Sequence, residues 1–166
     1  KKELMPLNET KLREQKLSER YDLQEWLVHY PEALGEPLLI IQKEFSDFEG
    51  TRERLDLLAL DTNGNLVLIE NKRDESGRDV VWQAIKYASY VAPFTRADIE
   101  EIYKDYLGKY KPNIVGLDDE AFEPSNIEKT AKHLITKFIS EHNEISVDDL
   151  SLNIINSQRI ILVAGI

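Results

Sequence analysis

The sequence predicts an α/β fold in which helices flank a mixed β-sheet, and three features lead to this class. A β-hairpin is centred on Asn63-Gly64, and its two arms, 54–60 and 66–71, carry apolar residues at consecutive positions. Strands of this kind are buried on both faces, so other elements must cover both sides of their sheet. Segments with helical spacing of apolar residues lie before and after the hairpin, and a final apolar run occupies 160–164. This mixture of helices and strands in one chain is typical of an α/β architecture.

The composition narrows the class of protein further. The chain has 166 residues, of which 42% are hydrophobic, and it contains no cysteine. This length and composition predict a single domain, 1–166, with a packed core. The absence of cysteine excludes disulfides and thiolate zinc sites and favours an intracellular, cytoplasmic protein. The apolar runs are shorter than the roughly 18 to 20 residues that a membrane helix needs, so no membrane partner is expected.

The two ends of the sequence favour a fragment of a longer protein. The first residue is Lys1, and the only methionine is Met5. At the other end the chain stops on the apolar run 160–164. A strand at a bare terminus usually pairs with a further element, so we expect more chain in the whole protein.

The first half of the chain is predicted to form one helix and three strands. The segment 18–30 opens with a candidate N-cap, Ser18, carries apolar residues at helical spacing and stops before Pro31. The run 39–45 begins apolar and then alternates, which predicts a strand that is buried at its start. The two hairpin arms supply the second and third strands.

Two further helices follow the hairpin. The segment 78–91 places apolar residues on one helical stripe and ends before Pro93. The segment 95–107 has acidic residues in its first turn, and Gly108 is expected just past its end.

The last predicted elements are a fourth helix and a fourth strand. The segment 125–140 opens with Ser125 and, three residues later, Glu128, which together form a capping box. The run 160–164 is apolar at every position and is predicted to be buried on both faces, beside the second hairpin arm.

Charged residues at the outer ends of the hairpin arms point to chemistry. Asp56 lies on the first arm, and Glu70 and Lys72 lie on the second. Residues two apart in a strand share a face, so Glu70 and Lys72 point to the same side. Two carboxylates that meet can hold Mg²⁺ by oxygen, and the ion polarises a phosphoryl group and lowers the pKa of a bound water. A nearby lysine can position that water and stabilise developing negative charge.

The loop of the hairpin decides whether Asp56 can join Glu70. A two-residue turn at Asn63-Gly64 would place Asp56 opposite Asn71, which is on the wrong face. A three-residue loop that includes Thr62 and holds its glycine in the left-handed conformation would place Asp56 opposite Glu70. The chemistry therefore favours the three-residue loop, and a bulge near Asp56 is the other route to the same face.

These pieces resemble the PD-(D/E)XK phosphodiesterase superfamily, which has the restriction-endonuclease-like fold, and within it the RecB-like and NucS-like branch. The matching pieces are Glu25 in LQEWL, Asp56 in RLD, Glu70 to Lys72 in ENK, and Gln83 to Tyr87 in QAIKY. The resemblance implies a restriction-endonuclease-like core made of 18–92 and 157–166. The intervening 93–150 then forms an added helical segment before the last strand.

The resemblance also implies roles for individual residues and a cofactor, Mg²⁺ or Mn²⁺. Asp56 and Glu70 become metal ligands, with the carbonyl of Asn71 as a third, and Lys72 becomes the catalytic lysine. Glu25 is expected to support the metal or the water, and Gln83 to orient the nucleophile or a phosphate. The residues expected to contact the substrate DNA are Arg54, Arg73, Lys86 and Tyr87.

The charge of the chain keeps two functions open. The net charge of −10 argues against a general nucleic-acid binder, although its acidic residues are concentrated in 21–71 and 112–150. The first function is a metal-dependent DNA nuclease. The second is a module that keeps the fold but only binds nucleic acid or dimerises, and a homodimer is possible in either case. The helical spacing of Trp26, Trp82, Tyr87 and Tyr90 predicts core packing for all four rather than base stacking.

Overall fold

The computed structural model describes residues 17–18, 22–46, 54–72, 77–110, 126–143, 151–154 and 157–164, with the backbone alone for Lys72, 77–80 and Ala164. In chain order its elements are α1 (Gln24–His29), a short 3-10 helix (Pro31–Leu34), β1 (Leu39–Phe45), β2 (Leu55–Leu60), β3 (Leu66–Lys72), α2 (Gly77–Val91), α3 (Arg96–Tyr110), α4 (Ile127–His142) and β4 (Arg159–Ala164). No helix within these ranges is long and apolar enough to cross a membrane.

The four strands form one mixed sheet in the order β1-β2-β3-β4. The pairs β1–β2 and β2–β3 are antiparallel, whereas β4 runs parallel to β3. The chain therefore crosses over between β3 and β4, and this crossover contains α2, α3 and α4. The predicted α/β class, a mixed sheet flanked by helices with additional helices before the last strand, is confirmed at this level.

The hairpin strands β2 and β3 form the centre of the core. The side chains of Leu57 to Leu60 and of Leu66 to Ile69 are completely buried. Consecutive side chains of a strand point to opposite faces, so both faces of the hairpin are covered as predicted. The helix α1 contacts β2, α2 contacts β3 and β4, α3 contacts β1, and α4 contacts α3.

Three helix boundaries differ from the predictions. The helix α1 begins at Gln24 instead of Ser18, whose backbone N–H donates to Asp22 Oδ2 at 2.6 Å. The helix α3 continues through Gly108 to Tyr110. Gly108 therefore does not end the helix. A Cβ at Gly108 would make only an ordinary contact with the side chain of Ile127 in α4.

The fourth helix is capped one residue later than predicted. Asn126 is the N-cap of α4, and its Oδ1 accepts from the N–H of Lys129 at 3.0 Å. Asparagine and serine are about equally good N-caps, which explains why the sequence alone placed the cap on the neighbouring residue. Ser125 itself lies outside the described residues.

The fourth strand lies beside β3, as predicted, but it is not buried on both faces. Ile161 and Val163 pack against the core, whereas Ile160 is 37% exposed and Leu162 is 43% exposed. A continuous apolar run predicts two covered faces only if elements lie on both sides of it. In the described part of the chain, the core covers β4 on one side alone.

The core-packing prediction is wrong for the two tryptophans. Trp26 is 45% exposed and Trp82 is 71% exposed. The buried residues of α2 are Ala84, Tyr87 and Val91, and successive residues of a helix are turned by about 100°, so Trp82 points away from this stripe. Tyr90, at the edge of the stripe, is partly buried against the core as predicted.

Candidate functional site

The hairpin turn sets the register that the candidate site requires. The N–H of Gly64 donates to the carbonyl of Asp61 at 2.9 Å, and the N–H of Asp61 donates to the carbonyl of Asn65 at 2.9 Å. Gly64 has a φ of 77°, in the left-handed region. This is the predicted three-residue loop, with glycine at the position where other residues would be strained. The alternative two-residue turn is excluded.

The register carries Asp56 to the position across from Glu70. The observed pairs run from Leu60↔Leu66 to Leu57↔Ile69, and one further step of the same register, beyond the last observed pair, sets Asp56 across from Glu70. The backbone N–H of Asn71 donates to Asp56 Oδ2 at 2.8 Å, so the aspartate carboxylate lies against the end of β3. Glu70 is only 3% exposed. The open end of the hairpin therefore brings two carboxylates to one face of the sheet.

The regular sheet pairing is interrupted on both sides of Asp56. On the β3 side, the paired positions stop at Leu57↔Ile69. On the β1 side, Lys43 pairs with Leu57 and Phe45 pairs with Leu55, which leaves Glu44 across from Asp56. Glu44 has a φ of 53°, a left-handed conformation that costs a non-glycine residue of order 1–3 kcal/mol. Such local strain clusters at functional sites because the surrounding fold must hold it in place.

The helix α2 supports the first residues of β2 through a chain of two hydrogen bonds. Gln83 Nε2 donates to the hydroxyl of Tyr87 at 2.6 Å, and that hydroxyl donates to the carbonyl of Arg54 at 2.9 Å. Gln83 and Tyr87 thus lie on one side of the helix, as their spacing predicts. Tyr87 is fully buried. Its ring packs in the core while its hydroxyl fixes the chain two residues before Asp56.

The helix α1 reaches Asp56 through a residue that the sequence did not single out. Gln24 is 1% exposed, and its Nε2 donates to the backbone carbonyl of Asp56 at 3.2 Å. The sequence does contain a sign of this role. Gln24 lies one helical turn before the buried Leu27, so it places an amide on the apolar face of α1. A polar residue on an apolar helix face is a candidate for a buried hydrogen bond.

Glu25, which was predicted to support the metal or the water, forms an ion pair with β1. Its Oε1 lies 2.5 Å from Lys43 Nζ in an ion pair between α1 and β1. Lys43 is largely buried, and its ammonium group also lies over the ring of Tyr110, 4.7 Å from the ring centroid. Among the described residues, this pair ties α1 to the strand that neighbours β2.

The remaining predicted residues are distributed around the same end of the sheet. Lys72 lies on β3, two residues after Glu70, and its backbone pairs with Ala164 of β4. Arg73 lies outside the described residues. Arg54 is exposed, and its guanidinium donates to Glu44 at 3.3 Å. Lys86 is exposed on α2, with its ammonium group 5.9 Å from the centroid of the Tyr90 ring.

The side chain of Asn71 is a second feature that the sequence did not reveal. It is 1% exposed, and neither its Nδ2 nor its Oδ1 forms a hydrogen bond in the part of the chain that the structure describes. A buried amide in this state costs roughly 1–3 kcal/mol relative to a paired one. The sequence predicted only the backbone carbonyl of this residue as a ligand.

The donor set at the open end fits a hard divalent cation. Asp56 and Glu70 offer carboxylate oxygens on one face, and Mg²⁺ and Mn²⁺ prefer oxygen ligands. Two carboxylates on one face of a sheet are stabilised by a positive charge near them. No group of three or more His, Cys, Asp or Glu side chains converges within the described ranges, so any metal here relies on two acids together with backbone or water oxygens.

Comparison with family models, with curated proteins and with solved structures found no match for this chain.

Proposed function

We propose that this chain is a metal-dependent DNA nuclease domain of the PD-(D/E)XK type, which hydrolyses phosphodiester bonds at the open end of the β2–β3 hairpin. The observation that carries the proposal is the register of the hairpin, which sets Asp56 across from Glu70. The metal site requires this register, because the alternative two-residue turn would set Asp56 opposite Asn71 on the other face.

The order of the elements supports the same proposal. The resemblance implies a helix before the hairpin, a helix with Gln and Tyr after it, and a last core strand beside the second hairpin arm. The helices α1 and α2 occupy these places, and β4 pairs with β3. A restriction-endonuclease-like core is the finer fold assignment that we propose on this basis.

In the proposed site, Asp56, Glu70 and the carbonyl of Asn71 hold Mg²⁺ or Mn²⁺. A divalent cation in this position supplies a water of lowered pKa and polarises the scissile phosphate. Lys72 follows Glu70 on the same face of β3, and its ammonium group stabilises the negative charge that develops on the phosphate. Gln83 and Tyr87 hold the start of β2, which makes Tyr87 a supporting residue inside the fold rather than a surface contact with DNA.

The charge distribution indicates the side from which DNA would approach. A groove of about 410 Å³ runs between the end of β1 and α3, and its charged lining has more acids than bases: Glu44, Asp98, Glu101 and Asp105 against Lys43 and Lys109. Phosphates are repelled there. On α2, by contrast, Lys86 is exposed beside the residues that support Asp56. We therefore propose that the DNA lies over the α2 side of the site, with Lys86, Arg54 and Arg73 as its basic contacts, in a cytoplasmic protein.

A non-catalytic module remains the second candidate function, because the structure exposes several large apolar side chains. Those on α2 and β4 are Val81, Trp82, Ile85, Ile160 and Leu162. Exposed apolar groups on α2 and β4, two elements in contact, favour association with a partner or a second copy. Such a module would need no metal.

The decisive experiment measures cleavage and metal binding together. The parent protein should cut DNA only with Mg²⁺ or Mn²⁺. Lys72→Ala should lose at least a hundredfold in rate while it still binds Mn²⁺, because the ligands are carboxylates. Glu141→Ala, an exposed acid at the end of α4, is the matched control and should behave like the parent.

Two results would contradict the proposal. Equal cleavage by the parent and by Lys72→Ala would indicate a contaminating nuclease. A parent that binds DNA or a protein but never cuts, across several metals and substrates, would support the non-catalytic module instead.

A further inference from the structure

Asp56 is held at two different atoms by two different elements. Its carbonyl oxygen accepts from Gln24 Nε2 of α1 at 3.2 Å, and its carboxylate accepts from the N–H of Asn71 of β3 at 2.8 Å. The first bond fixes the backbone from which the side chain projects. The second fixes the direction of the carboxylate itself.

The contact from Gln24 occurs where the sheet provides least support. The β2–β3 pairing has stopped at Leu57, and the β1 residue across from Asp56, Glu44, has a left-handed backbone. Gln24, itself almost completely buried, gives the Asp56 carbonyl a hydrogen-bond donor from outside the sheet, at the place where the paired positions of β2 and β3 end. A buried amide is costly without a partner, so this bond holds Gln24 and the Asp56 backbone to each other.

We infer that Gln24 is a positioning residue, whose side-chain amide sets the place of Asp56 so that its carboxylate can act together with Glu70. This inference rests on the proposed function, because it assigns Gln24 to the metal site. Gln24 touches neither metal nor substrate. It acts through the backbone of Asp56, as hydrogen-bond partners behind metal ligands do in other sites.

A purely structural role for Gln24 makes a different prediction. If Gln24 only attached α1 to the sheet, its loss would lower stability and leave Asp56 in place. The helix has other attachments, since Leu27 is buried in the core and Glu25 is paired with Lys43. Docking of α1 and placement of Asp56 can therefore be separated by mutation.

The test compares Gln24→Met with Leu27→Ala. Methionine keeps the length of glutamine and removes the amide, whereas the alanine variant weakens the packing of the same helix without touching Asp56. All measurements are made at a temperature where each variant is folded, and the free energy of unfolding is recorded for each.

The first readout needs no metal. In the parent, the N–H of Asn71 is protected from hydrogen exchange by its bond to the Asp56 carboxylate. We expect exchange at Asn71 to become about tenfold faster in Gln24→Met and to stay near the parental rate in Leu27→Ala. Exchange at Leu68, inside the regular pairing, should stay within about twofold of the parent in Gln24→Met.

The second readout is the dissociation constant for Mn²⁺, measured by calorimetry without DNA. Loss of a partner behind a metal ligand typically weakens metal affinity by about 10- to 100-fold. We expect a loss in this range for Gln24→Met and less than about twofold for Leu27→Ala. Gln24→Glu provides a rescue, because a protonated glutamic acid can donate to the Asp56 carbonyl and an ionised one cannot. Its Mn²⁺ affinity relative to the parent at the same pH should improve as the pH falls.

Two failures can be told apart. If the parent binds Mn²⁺ but Gln24→Met binds it equally well and keeps the parental exchange at Asn71, the positioning role is wrong and the proposed function stands. If the parent binds no Mn²⁺ at millimolar concentration, the proposed metal site is wrong, and the role of Gln24 in it is wrong as well.

Discussion

The two ends of the β2–β3 hairpin each bury an acid, but the surroundings of the two acids differ. At the turn, Asp61 is 5% exposed, and its Oδ1 accepts from the N–H groups of Asn63 and Asn65, both at 2.9 Å. Its Oδ2 lies 3.3 Å from a guanidinium nitrogen of Arg159. The hydrogen-bond donors of this carboxylate come from its own loop, and its opposite charge comes from one arginine.

At the open end, the acids depend on distant elements. Glu70 is as buried as Asp61, and it lies across from a second acid, Asp56, instead of inside a turn. The supports for this end come from α1 and α2, through Gln24 and Tyr87. A buried acid that its own turn satisfies is explained by folding alone. At the open end a buried acid, Glu70, and a half-buried one, Asp56, come from two different strands, and the proposed function explains this arrangement by a bound cation.

The largest expected contrast lies between Glu70→Gln and Asp61→Asn. Both changes replace a buried carboxylate with an amide of nearly the same shape. Glu70→Gln should lower metal-dependent cleavage at least a hundredfold, because an amide is a poor Mg²⁺ ligand, and should leave the free energy of unfolding unchanged or raised. Asp61→Asn should leave cleavage near the parental rate and lower stability by about 2 kcal/mol. Activity assays and urea unfolding check both. An active Glu70→Gln would remove the distinction between the two ends.

The two buried asparagines provide the next contrast. Asn153 Nδ2 donates to the carbonyls of Val91, Ala92 and Phe94 at 2.9 to 3.2 Å. Asn153→Leu should therefore lower stability by about 3 kcal/mol. Asn71→Leu replaces an amide with no hydrogen bond in the described residues and should raise stability by about 1 kcal/mol. Thermal and urea unfolding measure both changes. A destabilised Asn71→Leu would indicate that the amide has a partner that the described residues do not include.

A smaller effect is expected at the turn itself. Gly64→Ala places a Cβ on a residue with a φ of 77°. The left-handed conformation costs a non-glycine residue about 1–2 kcal/mol, and stability should fall by that amount. Because the register is also fixed by the buried leucines, cleavage by the variant should stay close to that of the parent. A large loss of metal affinity in this variant would show that the turn controls the open end more strongly than the core does.

The smallest expected effect concerns an ion pair near the turn. Arg159 donates to both carboxylate oxygens of Glu36 at 2.8 and 2.9 Å, and this hydrogen bonding lowers the pKa of Glu36 below its ordinary value. Both side chains are about a third or more exposed, so solvent screening limits the contribution to on the order of 0.5 kcal/mol. Glu36→Gln should lose that much at pH 7.

The contribution of the Glu36–Arg159 pair to stability should decrease as the pH falls. A carboxyl group with a lowered pKa in the folded state stabilises the fold above its unfolded pKa, and the contribution is lost as the pH falls through the folded pKa. The difference between parent and Glu36→Gln should therefore be complete well above the ordinary pKa of a glutamate, about 4.3, and should shrink as the pH falls below it. Urea unfolding at several pH values tests this, and a difference that grows as the pH falls would contradict the pairing.

The hairpin and its register could be predicted because local chemistry determines them. Gly64 adopts the one conformation that the three-residue loop needs, and the consecutive apolar residues of both arms require two covered faces. The choice between a two-residue and a three-residue loop, however, came from the candidate acids, because only the longer loop sets Asp56 across from Glu70. Periodicity likewise located α2, where Ala84, Tyr87 and Val91 form the buried stripe.

What the sequence could not supply depends on tertiary contacts. Gln24 and Glu25 are neighbours with similar side chains, and only the docking of α1 decides that Gln24 faces Asp56 while Glu25 faces Lys43. The apolar run of β4 looks the same whether one face or two are covered. Trp82 lies on the same helix as Tyr87, and Tyr87 is the aromatic residue that faces the core. The presence of an aromatic residue alone therefore does not show which face of the helix is buried.

The most direct test of the central claim is the position of Mn²⁺ in crystals, located by its anomalous scattering. We expect one strong peak at the open end of the hairpin, about 2.1–2.3 Å from a carboxylate oxygen of Asp56 and from one of Glu70. No peak at the turn beside Asp61 is expected, because its oxygens are already occupied by N–H donors and Arg159. Crystals grown with millimolar Mn²⁺ that show no metal between Asp56 and Glu70, with the two carboxylates turned apart, would contradict the claim.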